Sequence, residues 1–83
     1  MTEEIGKFEE MFLGKKATLT VSCVAGAVSV CGTVEKPIDS NSYFIGTGVL
    51  NIYELELDSV KVTTRSVAFV YKNGARATVR TAL

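Results

Sequence analysis

The residue types that most often carry catalysis are scarce in this chain of 83 residues, which contains no histidine. Histidine is the commonest general base, it completes most serine and cysteine triads, and it is a frequent zinc ligand. The two cysteines, Cys23 and Cys31, have seven residues between them, a spacing that matches no compact metal pair. A cysteine nucleophile also needs a nearby base to activate it. We therefore expect no catalytic residue, no metal site and no cofactor.

Two further groups of residues have types that occur in ligand sites. Gly46-Thr47-Gly48 lacks a third glycine, a following helix and a phosphate-binding lysine, so a strand bend is a better interpretation than a nucleotide loop. Glu54, Glu56 and Asp58 alternate along the chain and could share one strand face, with ~6–7 Å between neighbours. Three carboxylates can attract a hard cation, but we favour a solvated face or a partner for basic residues. The sequence thus predicts a protein that is not an enzyme.

Charge is divided unevenly along the chain, although the formal net charge is zero. Residues 1–58 hold nine acidic and four basic side chains, whereas residues 59–83 hold five basic side chains and no acid. These five form a candidate partner-binding strip, called the basic strip here: Lys61, Arg65, Lys72, Arg76 and Arg80. Such a strip can bind an anionic partner. One alternative is that these residues form a solvated sheet edge. The other is that the acidic residues 1–58 and the basic residues 59–83 neutralise each other within the fold or across an oligomer.

The N-terminal segment has the apolar spacing of an amphipathic helix. Its apolar residues recur three and four positions apart; they are Ile5, Phe8, Met11 and Phe12. Thr2 is a candidate helix cap and Gly14 a candidate left-handed stop. We predict a helix over residues 3–13 that lies on a sheet.

From Lys16 the apolar period changes to two, which is typical of a half-buried antiparallel strand. The first strand has its expected inward positions at Ala17, Leu19, Val21 and Cys23. A two-residue loop at Ala25-Gly26 would place the apolar face of a second strand on the same side. In that arrangement Cys23 is buried, and Cys31 lies exposed on the opposite face.

The central segment is predicted as short strands separated by turns. Residues 37–42 form a loop, and residues 43–45 begin a third strand, which Gly46-Thr47-Gly48 bends or interrupts. Residues 49–57 form a fourth run, with inward positions at Tyr53, Leu55 and Leu57. The apolar parity changes at Asp58-Ser59, where we expect a short turn.

The C-terminal segment is a hairpin over residues 66–72 and 75–81, marked by Asn73-Gly74. A two-residue turn would put the apolar residues of its strands on opposite faces. A three-residue loop, with Gly74 left-handed, pairs Phe69 with Ala77 and Val67 with Val79, so that one face is wholly apolar. Because the buried face decides register, we predict the three-residue loop, with Lys72, Arg76 and Arg80 on the outer face.

The order of these elements resembles the layout of Sm-like and SH3-like small β-barrels. The resemblance rests on three segments: Phe12-Leu13-Gly14-Lys15-Lys16, Gly32-Thr33-Val34 and Leu57-Asp58-Ser59-Val60-Lys61-Val62. In those folds a helix precedes five short bent strands, and a tight helical turn joins the fourth to the fifth. The resemblance covers about residues 3–64 and implies a C-terminal hairpin added to the usual plan. Asp39-Ser40-Asn41-Ser42 loosely matches the loop before the third strand in Sm-like proteins implicated in RNA binding.

We therefore predict a single, mainly β domain over residues 1–83: a small antiparallel β-barrel or bent sheet over residues 16–81, with one N-terminal α-helix and a C-terminal β-hairpin. The predicted function is a non-catalytic binding or assembly module that acts through protein–protein contacts. We expect a protein partner or a homo-oligomer, since small β proteins often hide surplus apolar surface by self-association. The alternative is an Sm-like nucleic-acid-binding small barrel, which we do not favour.

The expected location follows from the apolar runs. None approaches the ~18–20 residues that span a bilayer, and the acidic N-terminal residues do not resemble a secretory signal. We expect a cytoplasmic protein with no membrane partner. Small stand-alone domains of this kind are common among phage and mobile-element accessory proteins, including inhibitors of host enzymes, so the host cytoplasm is the expected location if a phage encodes it.

Overall fold

The computed structural model describes residues 2–38 and 40–82, except for the side chain of Glu54. Its elements in chain order are α1 (Thr2–Phe12), β1 (Lys16–Cys23), β2 (Gly26–Glu35), β3 (Ser42–Ile45), β4 (Gly48–Asn51), a 3-10 turn (Glu54–Glu56), β5 (Leu57–Val62), β6 (Ser66–Tyr71) and β7 (Arg76–Thr81). The strands form one antiparallel sheet in the order β4-β3-β2-β1-β7-β6-β5, which curls into a half-barrel. The predicted fold class, mainly β with one N-terminal helix, is confirmed.

The curl of the sheet is visible in the contacts of one side chain. Phe8, on α1, is fully buried. Its ring lies edge-on to Tyr43 on β3 and to Phe69 on β6, with ring centroids 5.0 and 5.2 Å away. Because β3 and β6 are the second strands from the two ends of the sheet, a single ring can reach both only if the sheet bends around it. The helix therefore covers the concave face, and the core lies between them.

The C-terminal hairpin has the predicted register. Val67 pairs with Val79 and Phe69 with Ala77, and Gly74 has φ +92°, a conformation that favours glycine. This hairpin is not appended to the sheet, because β7 pairs with β1 and β6 pairs with β5. It therefore forms an integral part of the sheet between the first and fifth strands.

The β1–β2 hairpin differs from the prediction in its turn. The loop is Val24-Ala25, and Cys23 pairs with Gly26. The observed register differs from the predicted one by two positions, which leaves every side chain on its predicted face, so alternation alone could not distinguish them. The prediction that Cys23 is buried is wrong: this end of the hairpin extends beyond the core, and both cysteines are free and exposed.

The central segment also differs from the prediction. Gly46-Thr47 reverses the chain between β3 and β4, and β4 ends at Asn51 rather than continuing. Tyr53 and Leu55, predicted to face inward, are exposed; Leu55 retains 87% of its surface. The short turn precedes β5 as the 3-10 turn, and the change of parity is accommodated by a bulge between Leu57 and Ser59. Asp39, in the loop compared with that of Sm-like proteins, lies outside the described residues.

Candidate binding face

Three members of the basic strip lie on the convex face of the sheet. Arg76 and Arg80 are exposed on β7, on either side of Thr78 and about 13 Å apart along the strand. Lys61 on β5 pairs with Ala68, which pairs with Thr78, so this lysine lies level with the midpoint between the arginines. It is two strands away, a distance of about 10 Å across the sheet. These three cations therefore form a triangle on one surface.

The other two members of the strip lie at opposite ends of β6. Arg65 is in the turn before β6, where its carbonyl oxygen accepts a hydrogen bond from the Thr81 amide at 3.3 Å. Lys72 follows β6, and its amide donates to the Glu56 carbonyl oxygen at 2.9 Å. Both side chains are exposed. The structure thus brings three of the five predicted residues together and places the other two at opposite ends of β6.

Lys16 is a further cation of this surface, outside the basic strip. It begins β1, two residues before Thr18, which pairs with Arg80. Its side chain lies on the same face as that of Thr18, because alternate residues of a strand share a face. The even-numbered alternation of Thr18 and Thr20 could have revealed it, but only the pairing of β1 with β7 places it beside Arg80. We call Lys16, Lys61, Arg76 and Arg80 the basic face.

Hydroxyl groups cover the surface between these cations. They belong to Thr18, Thr20, Ser22, Ser29, Thr33, Ser66 and Thr78. Thr20 Oγ1 and Ser29 Oγ are 2.9 Å apart and share a hydrogen bond across β1 and β2. The convex positions of β1, β6, β7 and residues 26–33 of β2 contain no carboxylate and no aromatic ring. The surface is therefore convex, polar and positively charged.

The cations of the basic face are available for a partner. Between the described side chains, the ion pair within 4 Å joins Lys36 to Glu9, with 3.4 Å between Nζ and Oε2. Lys36 also lies over the Tyr43 ring, on the side of the molecule covered by the helix. No described carboxylate forms an ion pair within 4 Å with a cation of the basic face, which favours an anionic group from another molecule.

A cleft of about 420 Å³ lies between α1, the segment after β2 and the segment after β4. Ile5, Ile52 and Leu55 line it with apolar surface, while the polar side chains of Glu9 and Lys36 pair with each other. In the part of the chain that the structure describes, no group of three or more Cys, Asp or Glu side chains could hold a metal ion. The cleft therefore lacks the unpaired cations that distinguish the basic face.

Tyr71 links two strands across the half-barrel, since its hydroxyl donates to the Asn51 carbonyl oxygen at 2.7 Å. Burial and then the nearby Glu56 carboxylate raise the pKa of Tyr71 from 10.0 to about 12. The folded protein thus retains this proton where the unfolded chain loses it. The stability that the neutral hydroxyl contributes is fully present below pH 10, and it is lost as the pH rises towards 12.

We expect Tyr71→Phe to lower the free energy of unfolding near neutral pH by about 0.5–1.5 kcal/mol, because it removes this hydrogen bond. It should also reduce the loss of stability between pH 10 and 12. Urea denaturation at several pH values measures both effects. Tyr53→Phe, at an exposed tyrosine, is the matched control and should change neither quantity. An unaltered pH profile in Tyr71→Phe would contradict the assignment.

Comparison of the chain with protein-family models, curated proteins and solved structures finds no match. Within residues 2–38 and 40–82, no helix is long and apolar enough to cross a membrane. The surface chemistry described above is therefore the basis for assigning a function.

Proposed function

We propose that this protein is a non-catalytic binding and assembly module that acts through protein–protein contacts, and that its basic face docks onto an acidic surface of another protein. The observation that carries the proposal is the convex surface itself. It presents Lys16, Lys61, Arg76 and Arg80, and the convex positions of β1, β6, β7 and residues 26–33 of β2 hold no carboxylate; Glu35 follows farther along β2. Arginine suits this role, since its planar guanidinium binds a carboxylate through two hydrogen bonds.

A nucleic acid is the runner-up partner, and the composition of the surface favours a protein over it. Proteins that bind single strands without sequence preference stack the bases on aromatic side chains. The convex positions around Arg76 and Arg80 hold Ser, Thr, Ala, Val and Cys, with no aromatic ring. Exposed aliphatic side chains lie elsewhere on the molecule, among them Val28 and Leu55. Protein contacts can use such residues, whereas a phosphate backbone cannot.

A double charge reversal tests the proposal. Arg76→Glu with Arg80→Glu should abolish capture of an acidic protein from the source cell. Each substitution should change the free energy of unfolding by only about 0.5 kcal/mol, because both side chains are exposed. Immobilised wild type and variant are compared by mass spectrometry of the captured proteins and by thermal melting.

The matched control is Lys7→Glu with Lys15→Glu, which reverses the same number of exposed charges outside the basic face. This control should capture the same acidic protein as the wild type. Equal capture by all three proteins would refute the role of the basic face. Salt-sensitive retention on an oligonucleotide column, lost in the double reversal, would favour the nucleic-acid alternative instead. Unfolding of the double reversal would show that the arginines are packed rather than free.

A further inference from the structure

Strand β2 has an open edge along its first half. Gly26–Thr33 pair with β1 on one side. On the other side, the ladder with β3 contains only Val34 and Glu35. Among the described residues, no strand therefore lies beside residues 26–32 on that side, although β2 is an interior strand of the sheet, between β3 and β1.

The direction of the free backbone groups follows from Val34. Its amide donates to the Lys15 carbonyl oxygen at 2.9 Å, and its carbonyl oxygen accepts from the Gly14 amide at 2.8 Å, so both groups point towards the β1 side. Backbone groups alternate along an antiparallel strand, which directs those of Ala27, Ser29 and Cys31 towards the open edge. The β3–β4 turn lies against the Cys31 carbonyl oxygen, which is 2.5 Å from the position of a Cβ built on Gly46. Ala27 and Ser29 therefore offer four free hydrogen-bonding groups.

This edge lacks the features that keep sheet edges from pairing. Natural edges are protected by short strands, bulges, proline and charged side chains, particularly lysine. Strand β4 has only four residues, and β5 carries Lys61 and a bulge. In contrast, no residue from Ala17 to Val34 is charged or a proline. The open part of β2 is also apolar on its concave side, where Val28 keeps 68% of its surface exposed.

We propose that two copies of this chain pair through the open edge of β2, antiparallel and centred on Val28. In this register Val28 lies opposite Val28 of the second copy, and Ala27 lies opposite Ser29 of the second copy. All four free groups of each edge then form hydrogen bonds, and the two exposed valines cover each other. The two copies are related by a two-fold axis at Val28. Because the edge carries no charge, this symmetry brings no like charges together. Pairing centred further along β2 would bring the second copy against the β3–β4 turn.

The pairing goes beyond the proposed function and does not depend on it. It continues the sheet as β7-β1-β2 followed by β2-β1-β7 of the second copy, with both basic faces on the same side. The β7 strands of the two copies, which carry Arg76 and Arg80, are then five strand spacings apart, about 24 Å. This separation exceeds the Debye length of about 8 Å at physiological salt, so they repel each other little. A dimer would thus present two basic faces to one extended acidic partner.

Ser29→Pro tests the hydrogen bonds of the edge. The Ser29 amide points away from β1, so proline removes a donor from the dimer without removing one from the β1–β2 ladder. Ser29→Ala is the matched control, since it removes the same hydroxyl and keeps the amide. Sedimentation velocity over a wide concentration range should show a dimer for the wild type and for Ser29→Ala. For Ser29→Pro, the dissociation constant should rise about tenfold or more, because symmetry removes two hydrogen bonds.

Cysteine cross-linking tests the register and remains informative if Ser29→Pro fails to fold. In a background with Cys23→Ser and Cys31→Ser, Val28→Cys places two thiols directly opposite each other, with Cβ atoms ~4.5–5.5 Å apart. Glutathione disulfide should convert this variant to a covalent dimer. Ala27→Cys is the control on the same edge, because its symmetry mate lies two positions away, and it should form little dimer.

Three results would overturn the proposal. The first is a wild type that sediments as a monomer at every concentration. The second is a folded Ser29→Pro that dimerises as strongly as Ser29→Ala. The third is cross-linking of Ala27→Cys as rapid as that of Val28→Cys. None of these results bears on the basic face, so failure of the dimer and failure of the proposed function can be told apart.

Discussion

Phe8→Ala should lower the free energy of unfolding by about 3–5 kcal/mol, the usual cost of removing a fully buried phenyl ring. Phe8 has no exposed surface, and its ring contacts Phe12, Tyr43 and Phe69. Its loss would leave a cavity where the helix meets both arms of the curled sheet. Small domains have a total stability of roughly 5–15 kcal/mol. The variant should therefore unfold at a much lower urea concentration than the wild type. Urea denaturation followed by circular dichroism measures the change.

Phe44→Ala is the matched control for this experiment, because it makes the same substitution at a phenylalanine that is 41% exposed. Phe44 pairs with Val49 on the face opposite to buried Tyr43 and Leu50. We expect a loss of about 1 kcal/mol or less. If Phe8→Ala instead unfolds at the same urea concentration as the wild type, α1 is not docked in solution, and the helix becomes a candidate partner-binding element.

Gly32→Ala should lower the free energy of unfolding by about 1–3 kcal/mol, because it overpacks a contact between two backbone segments. A Cβ built on Gly32 would meet the Gly46 amide nitrogen and lie 2.5 Å from its Cα. Gly46 itself has φ +61°, and a Cβ built on it would lie 2.5 Å from the Cys31 carbonyl oxygen. Backbone atoms cannot rotate away as a side chain can, so β2 or the β3–β4 turn must shift. Denaturant unfolding and the amide NMR shifts of residues 45–48 would report this movement.

Gly6→Ala provides the control for Gly32→Ala. Gly6 lies on the exposed side of α1, and a Cβ built there meets no atom within 4 Å. Alanine in a helix interior is favoured over glycine by about 1 kcal/mol, so this variant should be slightly more stable than the wild type. A Gly32→Ala variant as stable as Gly6→Ala would show that β2 and the β3–β4 turn do not approach each other this closely.

Both predictions depend on contacts that no sequence pattern could locate. The spacing of Phe8 and Phe12 predicts that they face a sheet, and the structure confirms that they are buried. The pattern does not indicate that Phe8 contacts both arms of a curled sheet. Similarly, Gly32 is an ordinary strand glycine in the sequence. Its importance arises because the β3–β4 turn, fourteen residues later, packs against it.

Burial predicted from alternation is wrong where the alternating pattern continues beyond the part of the chain that the rest of the molecule covers. Cys23 continues the alternation of buried Leu19, yet it is exposed because the hairpin extends beyond the core. Leu55 continues the alternation of Leu57, but the chain forms a 3-10 turn there and the side chain points into solvent. Alternation assigns a side chain to one face of a strand. Burial requires in addition that another part of the molecule covers that position.

The sequence by itself determined the features that depend on neighbouring residues along the chain. These include the helix, the bounds of β1, and the register of the C-terminal hairpin, since periodicity and turn residues act locally and a buried apolar face excludes the alternative register. It also indicated that Arg76 and Arg80 share the face away from the core.

Only the tertiary structure decided which distant strands become neighbours. The pairing of β1 with β7 places Lys16 and the threonines of β1 beside Arg80 and so forms the basic face. The short ladder between β2 and β3 leaves Ala27 and Ser29 without a described strand on the side away from β1. Strand pairing over such separations is set by how the whole apolar surface can be buried at once, with backbone hydrogen bonds satisfied wherever another strand is within reach. That is a property of the complete fold, which local patterns do not contain.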